Sequence, residues 1–550
     1  MNNYLQRNWF PISLITGICL HALSLTNGIM EADAALYATI AKHIALTNDW
    51  VNLIGDGHDW LDKPHLPFWI IASSFKIFGI NDFAYKVPAF ISFLIGVLYC
   101  YQLAKKLYDT ATAKLATIIL LTALHLFLSV FDVRAEAYLT TFIVAATFHL
   151  YQSLQHKISW HIVWAAIFCA AACITKGIFV LITIAGGFII YWLYNKQWKE
   201  LWQPKWWLLI VLTFIFILPE LYCLYQQFDL HPEKIVFGIT HVSGIRFFFW
   251  DSQFGRFFNS GPIKGEGDIT FFVHTFLWAF LPWSLIAYAA IFYSFKKQTK
   301  ANSKQLIITG SIVITFLLFS LSKFQLPHYI VILFPHFAIV SAVYLLGIQK
   351  DKILKIWNTV QLIIFCIAII AICSLAIITR LNPLPWPFVW VVLVSGIFIL
   401  FFKANNLYAL TGKAVCFSTV LFLYLNLFFY PVLLQYQGGM QAGKYLNKNM
   451  PGSTAIMYKC SAYSFEWYSS GKVFRSANLS ALPDSIKIGK RIVVFTTPEF
   501  LPALINEAAT VKEIARFQTY PVSQLSLPFL NAESREKELK YFVLLECGVN

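Results

Sequence analysis

The sequence predicts a polytopic α-helical membrane protein with a small α/β domain at its C-terminal end. Three observations carry that prediction. Of its 550 residues, 58% are hydrophobic and only 13% charged, whereas soluble domains run near a quarter charged. Apolar runs of about 20 residues, the length that crosses a bilayer, recur along most of the chain. The formal net charge of +15 is dispersed in short lysine clusters between those runs, as the positive-inside rule produces. Nucleic-acid binding would instead need one basic stripe.

In chain order, spans are expected near 9–29, 84–104, 111–131, 137–155, 160–175, 177–195, 206–226, 270–294, 305–322, 327–348, 354–380, 386–403 and 408–436. Residues 9–29 lack a small-residue cleavage site and read as a retained first span. With Arg7 cytoplasmic, the even-numbered loops are cytoplasmic too. They hold Lys105, Lys106 and Lys114; Lys157; Lys196, Lys199 and Lys205; Lys296, Lys297, Lys300 and Lys304; Lys350, Lys352 and Lys355; and Lys403. The first outward loop, 30–83, carries Glu31, Asp33, Asp49, Asp56, Asp59, Asp62 and Asp82 against Lys42, Lys63 and Lys76. This asymmetry implies a multi-pass membrane protein whose functional face is extracytoplasmic. An odd number of spans puts the C-terminal region on that same side.

The expected domains are a membrane domain over 1–436, with outward loops 30–83 and 227–269, and an α/β domain over 437–550, long enough for its own core. Within the latter, 452–460, 490–496 and 540–547 read as strands and 498–509 as a helix. Eight of the ten cysteines sit in apolar runs and read as small hydrophobes. Cys460 and Cys547 lie in the polar C-terminal region, where an oxidising compartment would let them pair.

Polar residues recur in compact groups in the outward loops. Glu31 and Asp33 follow the first span and open the segment 34–46. There Leu36, Ile40 and Ile44 repeat at helical spacing, as in an amphipathic helix along the membrane interface. Asp33 reads equally as the N-cap of that helix and as a functional acid. In 59–69, Asp62-Lys63 reads as a solvated ion pair or, stiffened by Pro64 and Pro67 and set among Trp60, Phe68 and Trp69, as a lysine placed for phosphate. Asp132, Arg134 and Glu136 follow the third span. On one helix the two acids would share a face and repel, needing Arg134 or a metal between them. Lys176 sits in a tight corner before Gly177, Glu220 lies near the outer end of the seventh span, and Arg246, Gln253 and Arg256 lie in the long loop. Lys323, His328 and Tyr329 precede the tenth span. Charges beside a bilayer are costly and mark function. Several cations around two or three carboxylates suit a reaction with an anionic phosphate leaving group, in which a carboxylate holds or deprotonates the nucleophile. His21, His125 and His149, within spans, read as packed side chains.

The chain resembles the GT-C glycosyltransferases that use polyprenyl-phosphate sugars, in particular the lipid A aminoarabinose transferases and protein O-mannosyltransferases. The resemblance rests on 33–41 (DAALYATIA), 48–51 (NDWV), 62–64 (DKP), 78–83 (FGINDF), the acid at Glu136, 175–177 (TKG), 248–257 (FFWDSQFGRF), 281–283 (LPW) and 322–329 (SKFQLPHY). It implies a GT-C membrane domain with a periplasmic C-terminal domain and, as activity, transfer of a sugar from undecaprenyl phosphate with inversion. Asp33 would be the key first-loop acid and Glu136 the second acidic position. Lys63, Arg256 and Lys323 would bind the carrier phosphate, and Tyr329 would orient it. Supporting positions are Glu31, Asp62, Asp132, Arg134, Lys176, Arg246, Gln253 and His328. The expected partners are the lipid-linked donor, membrane lipids and a lipid A, glycan or protein acceptor, with the protein itself a monomer and no nucleic acid involved. The resemblance fixes no cofactor and leaves a divalent cation as a candidate. The aminoarabinose enzymes have Asp-Glu and then Arg-Tyr where this chain has Asp33-Ala34 and then Leu36-Tyr37. They also have a histidine at the position of Gln253, which counts against a metal held by Asp62 and against aminoarabinose as the cargo. The alternative function is a transporter or flippase of a lipid-linked substrate, which would place its ionisable groups at mid-membrane.

Overall fold

The computed structural model describes residues 2–154, 158–296, 300–380, 386–401, 405–478, 491–508 and 510–548, so Lys157, Lys297 and Lys403 lie outside the described residues. Each apolar run read from the sequence coincides with helix. By length and composition, seven of the described helices are able to cross a membrane alone, and a bent pair brings the number to eight. The protein is thus a multi-pass helical membrane protein.

Two runs are broken in ways that shape the interior. Thr110–Leu121 and Leu124–Phe131 meet at 57°, because Ala123 is extended. The Leu124 N–H freed there donates to the Leu281 carbonyl at 3.0 Å. The second break holds that carbonyl: Phe271–Ala279 and Ser284–Lys296 are separated by Phe280-Leu281-Pro282-Trp283. The fully buried Trp283 donates its indole N–H to Thr122 Oγ1 at 2.8 Å. Each break thereby satisfies polar groups of the other, as non-helical backbone inside a membrane requires.

Helix Asp33–Thr47 is the first correction. Leu36, Ile40 and Ile44 are buried, but against protein: the helix packs between Leu66–Phe78 and Tyr463–Tyr468. Helical periodicity identifies an apolar face without saying whether lipid or protein covers it. Nor is Asp33 the cap. Ala32 holds that position without a side-chain hydrogen bond, and Asp33 is the first helical residue.

Besides a short hairpin, β1 (Ile54–Gly55) and β2 (His58–Asp59), the strands form one five-stranded sheet at the C-terminal end. It contains β3 (Ala455–Tyr458), β4 (Val473–Ser476), β5 (Arg491–Thr496), β6 (Thr510–Thr519) and β7 (Lys540–Gly548), in the order β4-β3-β5-β7-β6. β3 runs parallel to β4 and β5, and β7 antiparallel to β5 and β6. The strands expected at 452–460, 490–496 and 540–547 are β3, β5 and β7. The helix expected over 498–509 is the 3-10 turn Pro498–Phe500 and the helix Leu501–Glu507. β4 and β6 were not anticipated, since edge strands as polar as these lack an apolar run. The sheet separates the two cysteines expected to pair. Cys547 packs with Ile456 and Val494 on one side, while Cys460 packs with Phe465 and Phe495 on the other. Both are free, and the Cys460 thiol donates to the Phe495 carbonyl at 3.3 Å.

Candidate functional site

Among the described residues, three neighbouring ionic clusters form at helix ends, each built by chain segments far apart in sequence. The first surrounds Asp62. Lys63 Nζ donates to Oδ2 at 2.5 Å, and the Arg256 guanidinium donates to Oδ1. Burial alone would push the Asp62 carboxyl up, but the adjacent Lys63 and Arg256 charges outweigh it and hold the carboxyl down at about 2. The segment leading into helix Leu66–Phe78 is fixed from behind. Fully buried Glu220 accepts from the His65 N–H at 3.0 Å and faces its Nδ1 at 3.1 Å, while Nε2 faces the Val51 carbonyl at 2.9 Å.

The second cluster surrounds Glu136, in the first turn of helix Ala135–Ser153 and 1% exposed. Lys176 Nζ donates to its Oε1, and His328 Nε2 lies 3.8 Å away. The Lys176 ammonium sits 3.9 Å from the centroid of the Tyr329 ring. Lys176 ends its helix, and Gly177 turns the chain at φ +107°. A side chain at Gly177 would strike the Gln253 amide, so Gly177 and Gln253 form one close-packed corner.

The third cluster is centred on Arg134, which contacts Asp132 Oδ2 at 2.8 Å, Asp33 Oδ2 at 3.1 Å and His328 Nδ1 at 3.4 Å. The expectation that Asp132 and Glu136 share a helical face is overturned. Asp132 ends helix Leu124–Phe131, Val133 takes φ +51°, and a new helix starts at Ala135. Each acid therefore has its own cation, Arg134 or Lys176. His328 lies between the second and third clusters, so a chain of polar side chains runs from Asp33 to Lys176.

A cavity of about 390 Å³ opens beside the first two clusters. Its polar lining comes from Asp62, Lys63, Lys176, Glu220, Gln253, Arg256 and Tyr329, and its walls from phenylalanines such as Phe179, Phe248, Phe257 and Phe319. Cations at one place and aromatic walls elsewhere suit an amphiphile with an anionic head.

Three expected residues do not converge here. Lys323 is exposed and outside the cavity lining, held by its backbone N–H on the Phe257 carbonyl at 3.1 Å. Arg246 is 73% exposed and lies 3.6 Å from Asp251. Glu31 points to the C-terminal sheet domain, where Oε1 accepts from the Ser464 N–H at 2.8 Å. For a metal the residues do not fit. Among the described residues no group of three or more His, Cys, Asp or Glu side chains is placed to hold one, and Asp62 is taken up by Lys63 and Arg256. The His65–Glu220 pair was not foreseen, since 155 residues separate its members. The only signal was an acid after Pro219 near a span's end.

A family model described as dolichyl-phosphate-mannose-protein mannosyltransferase matches residues 62–223, a segment that holds Asp62, Lys63, Glu136, Lys176 and Glu220. An uncharacterised protein of Aquifex aeolicus is 23% identical over 457 residues, 82% of this chain and 84% of that one. The undecaprenyl phosphate-alpha-4-amino-4-deoxy-L-arabinose arabinosyl transferase of Pseudomonas aeruginosa is 24% identical over 408 residues, 71% of this chain and 70% of that one. The crystal structure of ArnT from Cupriavidus metallidurans bound to undecaprenyl phosphate superposes with a TM-score of 0.74, covering 98% of both chains at 16% identity. The fold is therefore the GT-C fold, and the chain is an integral membrane glycosyltransferase that resembles the ArnT and protein mannosyltransferase group.

Proposed function

We propose that this glycosyltransferase takes its sugar from a polyprenyl-phosphate donor and passes it, with inversion, to a lipid A, glycan or protein acceptor at the periplasmic face of a bacterial inner membrane. The observation that carries this reading is the pairing of Lys63 and Arg256 across Asp62 in the lining of an aromatic-walled cavity. Such a cavity accommodates a prenyl chain along its phenylalanines and leaves the phosphate beside the two cations. The named substrates of the relatives, dolichyl-phosphate-mannose and undecaprenyl phosphate-aminoarabinose, share that chemistry.

In the proposed step the acceptor oxygen attacks the anomeric carbon as the carbon–oxygen bond to phosphate breaks, and the bonding pair leaves with the phosphate. Lys63 and Arg256 stabilise the charge gathering there, so the leaving oxygen needs no proton. Tyr329 lines the same cavity and orients the donor. Asp33, half exposed and paired with Arg134, accepts the proton of a hydroxyl acceptor; for a phosphate acceptor it only orients. Glu136 and Lys176 hold the corner between donor and acceptor. The test is mass spectrometry of lipid A, glycans and periplasmic proteins from a deletion strain. Loss of one sugar from one of these classes names cargo and acceptor. Loss of that sugar with the lipid-linked donor trapped in the cytoplasmic leaflet, instead of accumulating in the periplasmic one, would favour a flippase.

A further inference from the structure

Glu31 lies two residues before Asp33, yet its carboxylate is turned away from the cavity and toward helix Tyr463–Tyr468 of the C-terminal domain. Its Oε1 accepts from the Ser464 N–H at 2.8 Å, and its own N–H donates to Gln437 Oε1 at 2.8 Å. Gln437 in turn donates to the Ile29 carbonyl at 3.0 Å. Tyr468 Oη accepts from the Ile29 N–H and donates to Asp82 Oδ2, both at 2.9 Å. On the far side of Asp33, Lys42 donates to the carbonyls of Glu466, Trp467 and Ser469 at 2.9, 3.2 and 2.8 Å. Helix Tyr463–Tyr468 therefore grips the segment holding Asp33 from both sides.

The Asp33 carboxylate itself is half exposed, and among the described residues its ion-pair partner is Arg134. Its position thus depends on the backbone beneath it, and that backbone is fixed by the C-terminal domain. A partly buried carboxylate is a costly fastener: desolvation pushes the Glu31 carboxyl up, against the opposing pull of the Ser464 N–H. A neutral side chain of similar reach would hold the same N–H more cheaply, which makes the amide variant a useful control.

We propose that Glu31 is a positioning residue for Asp33 and that, through the Ser464 N–H and Tyr468 hydroxyl, the C-terminal domain is a working part of the transfer site. This rests on the reading of Asp33 given above. The domain then acts on turnover, not on donor capture, because Lys63 and Arg256 lie outside the gripped segment.

The experiment is steady-state transfer by the purified full chain with a synthetic polyprenyl-phosphate sugar, beside a melting curve for each variant. Glu31→Ala is expected to lower kcat by roughly 10- to 100-fold, the scale that small misplacement of a reacting group brings, with the donor KM within about two-fold. Glu31→Gln, which keeps an acceptor for Ser464, should restore kcat to within about three-fold of the parent. Tyr468→Phe approaches the same backbone from the other domain and should lower kcat with KM unchanged, which keeps the proposal testable if Glu31→Ala does not fold. Parental kcat in both Glu31→Ala and Tyr468→Phe would overturn the proposal, as would equal losses in Glu31→Ala and Glu31→Gln. Asp33→Asn separates the two layers. Full activity there overturns the reading of Asp33, whereas an inactive Asp33→Asn beside a normal Glu31→Ala and Tyr468→Phe overturns the grip alone.

Discussion

Arg134 Nη1 stands 3.1 Å from Asp33 Oδ2, joining residues 101 positions apart. The same side chain reaches Asp132 at 2.8 Å, so one planar guanidinium spans two carboxylates and fixes the direction in which Asp33 faces. A lysine supplies the charge but not the fork. Arg134→Lys should therefore lower kcat by about ten-fold, and Asp33→Asn by at least about 100-fold, in a transfer assay with saturating donor. Parental turnover in Arg134→Lys would remove the geometric role assigned to the guanidinium.

Lys63 and Arg256 are assigned to the donor phosphate. Charge-assisted hydrogen bonds to such a group contribute about 1.5–3 kcal/mol each. Lys63→Ala and Arg256→Ala should each raise the donor KM by roughly 10- to 100-fold. Lys323→Ala should leave it nearly unchanged, because Lys323 lies outside the cavity lining. Isothermal titration with polyprenyl phosphate alone checks all three.

The pH dependence of the donor site follows from Asp62, whose carboxyl is held at about 2. A folded-state value below the ordinary one means that the stabilisation is present above the ordinary carboxylate range and is lost only as pH falls through about 2. Donor binding should accordingly show no acid limb between roughly pH 4 and 7. An acid limb in that window that Asp62→Asn abolishes would show that the Lys63 and Arg256 pairing does not hold Asp62 ionised.

Gly177 sits at φ +107° with the Gln253 amide packed where a side chain would go. Gly177→Ala meets both obstacles, a backbone cost of about 1–3 kcal/mol and a collision. It should lower both melting temperature and kcat. Adding Gln253→Ala should relieve the collision but not the backbone cost, leaving stability intermediate, as thermal melts of both variants would reveal.

Much of this site was legible in the sequence because its residue types are costly near a bilayer. Asp62-Lys63, Asp132, Arg134, Glu136, Lys176, Arg256, His328 and Tyr329 stand out as polar islands at the ends of apolar runs. Pairing was not legible. Asp132 and Glu136 looked like neighbours on one helix, and only the turn at Val133 assigns them to different cations. Glu31 looked like a supporting residue of the site because it is close to Asp33 in sequence, yet the side chains diverge. Lys323 and Arg246 have the right charge in the right loops and face elsewhere. Spacing of 3.6 residues locates helices well, but whether lipid or protein covers a face such as Leu36–Ile40–Ile44 depends on segments hundreds of residues away.

The most direct test of the central claim is release of polyprenyl phosphate from a synthetic polyprenyl-phosphate sugar by the purified protein in proteoliposomes, with acceptor extract supplied. The account predicts acceptor-dependent release by the parent, abolished by Asp33→Asn when the acceptor is a hydroxyl, and reached by Lys63→Ala only at higher donor concentration. Movement of intact donor across the bilayer without release of polyprenyl phosphate would contradict it.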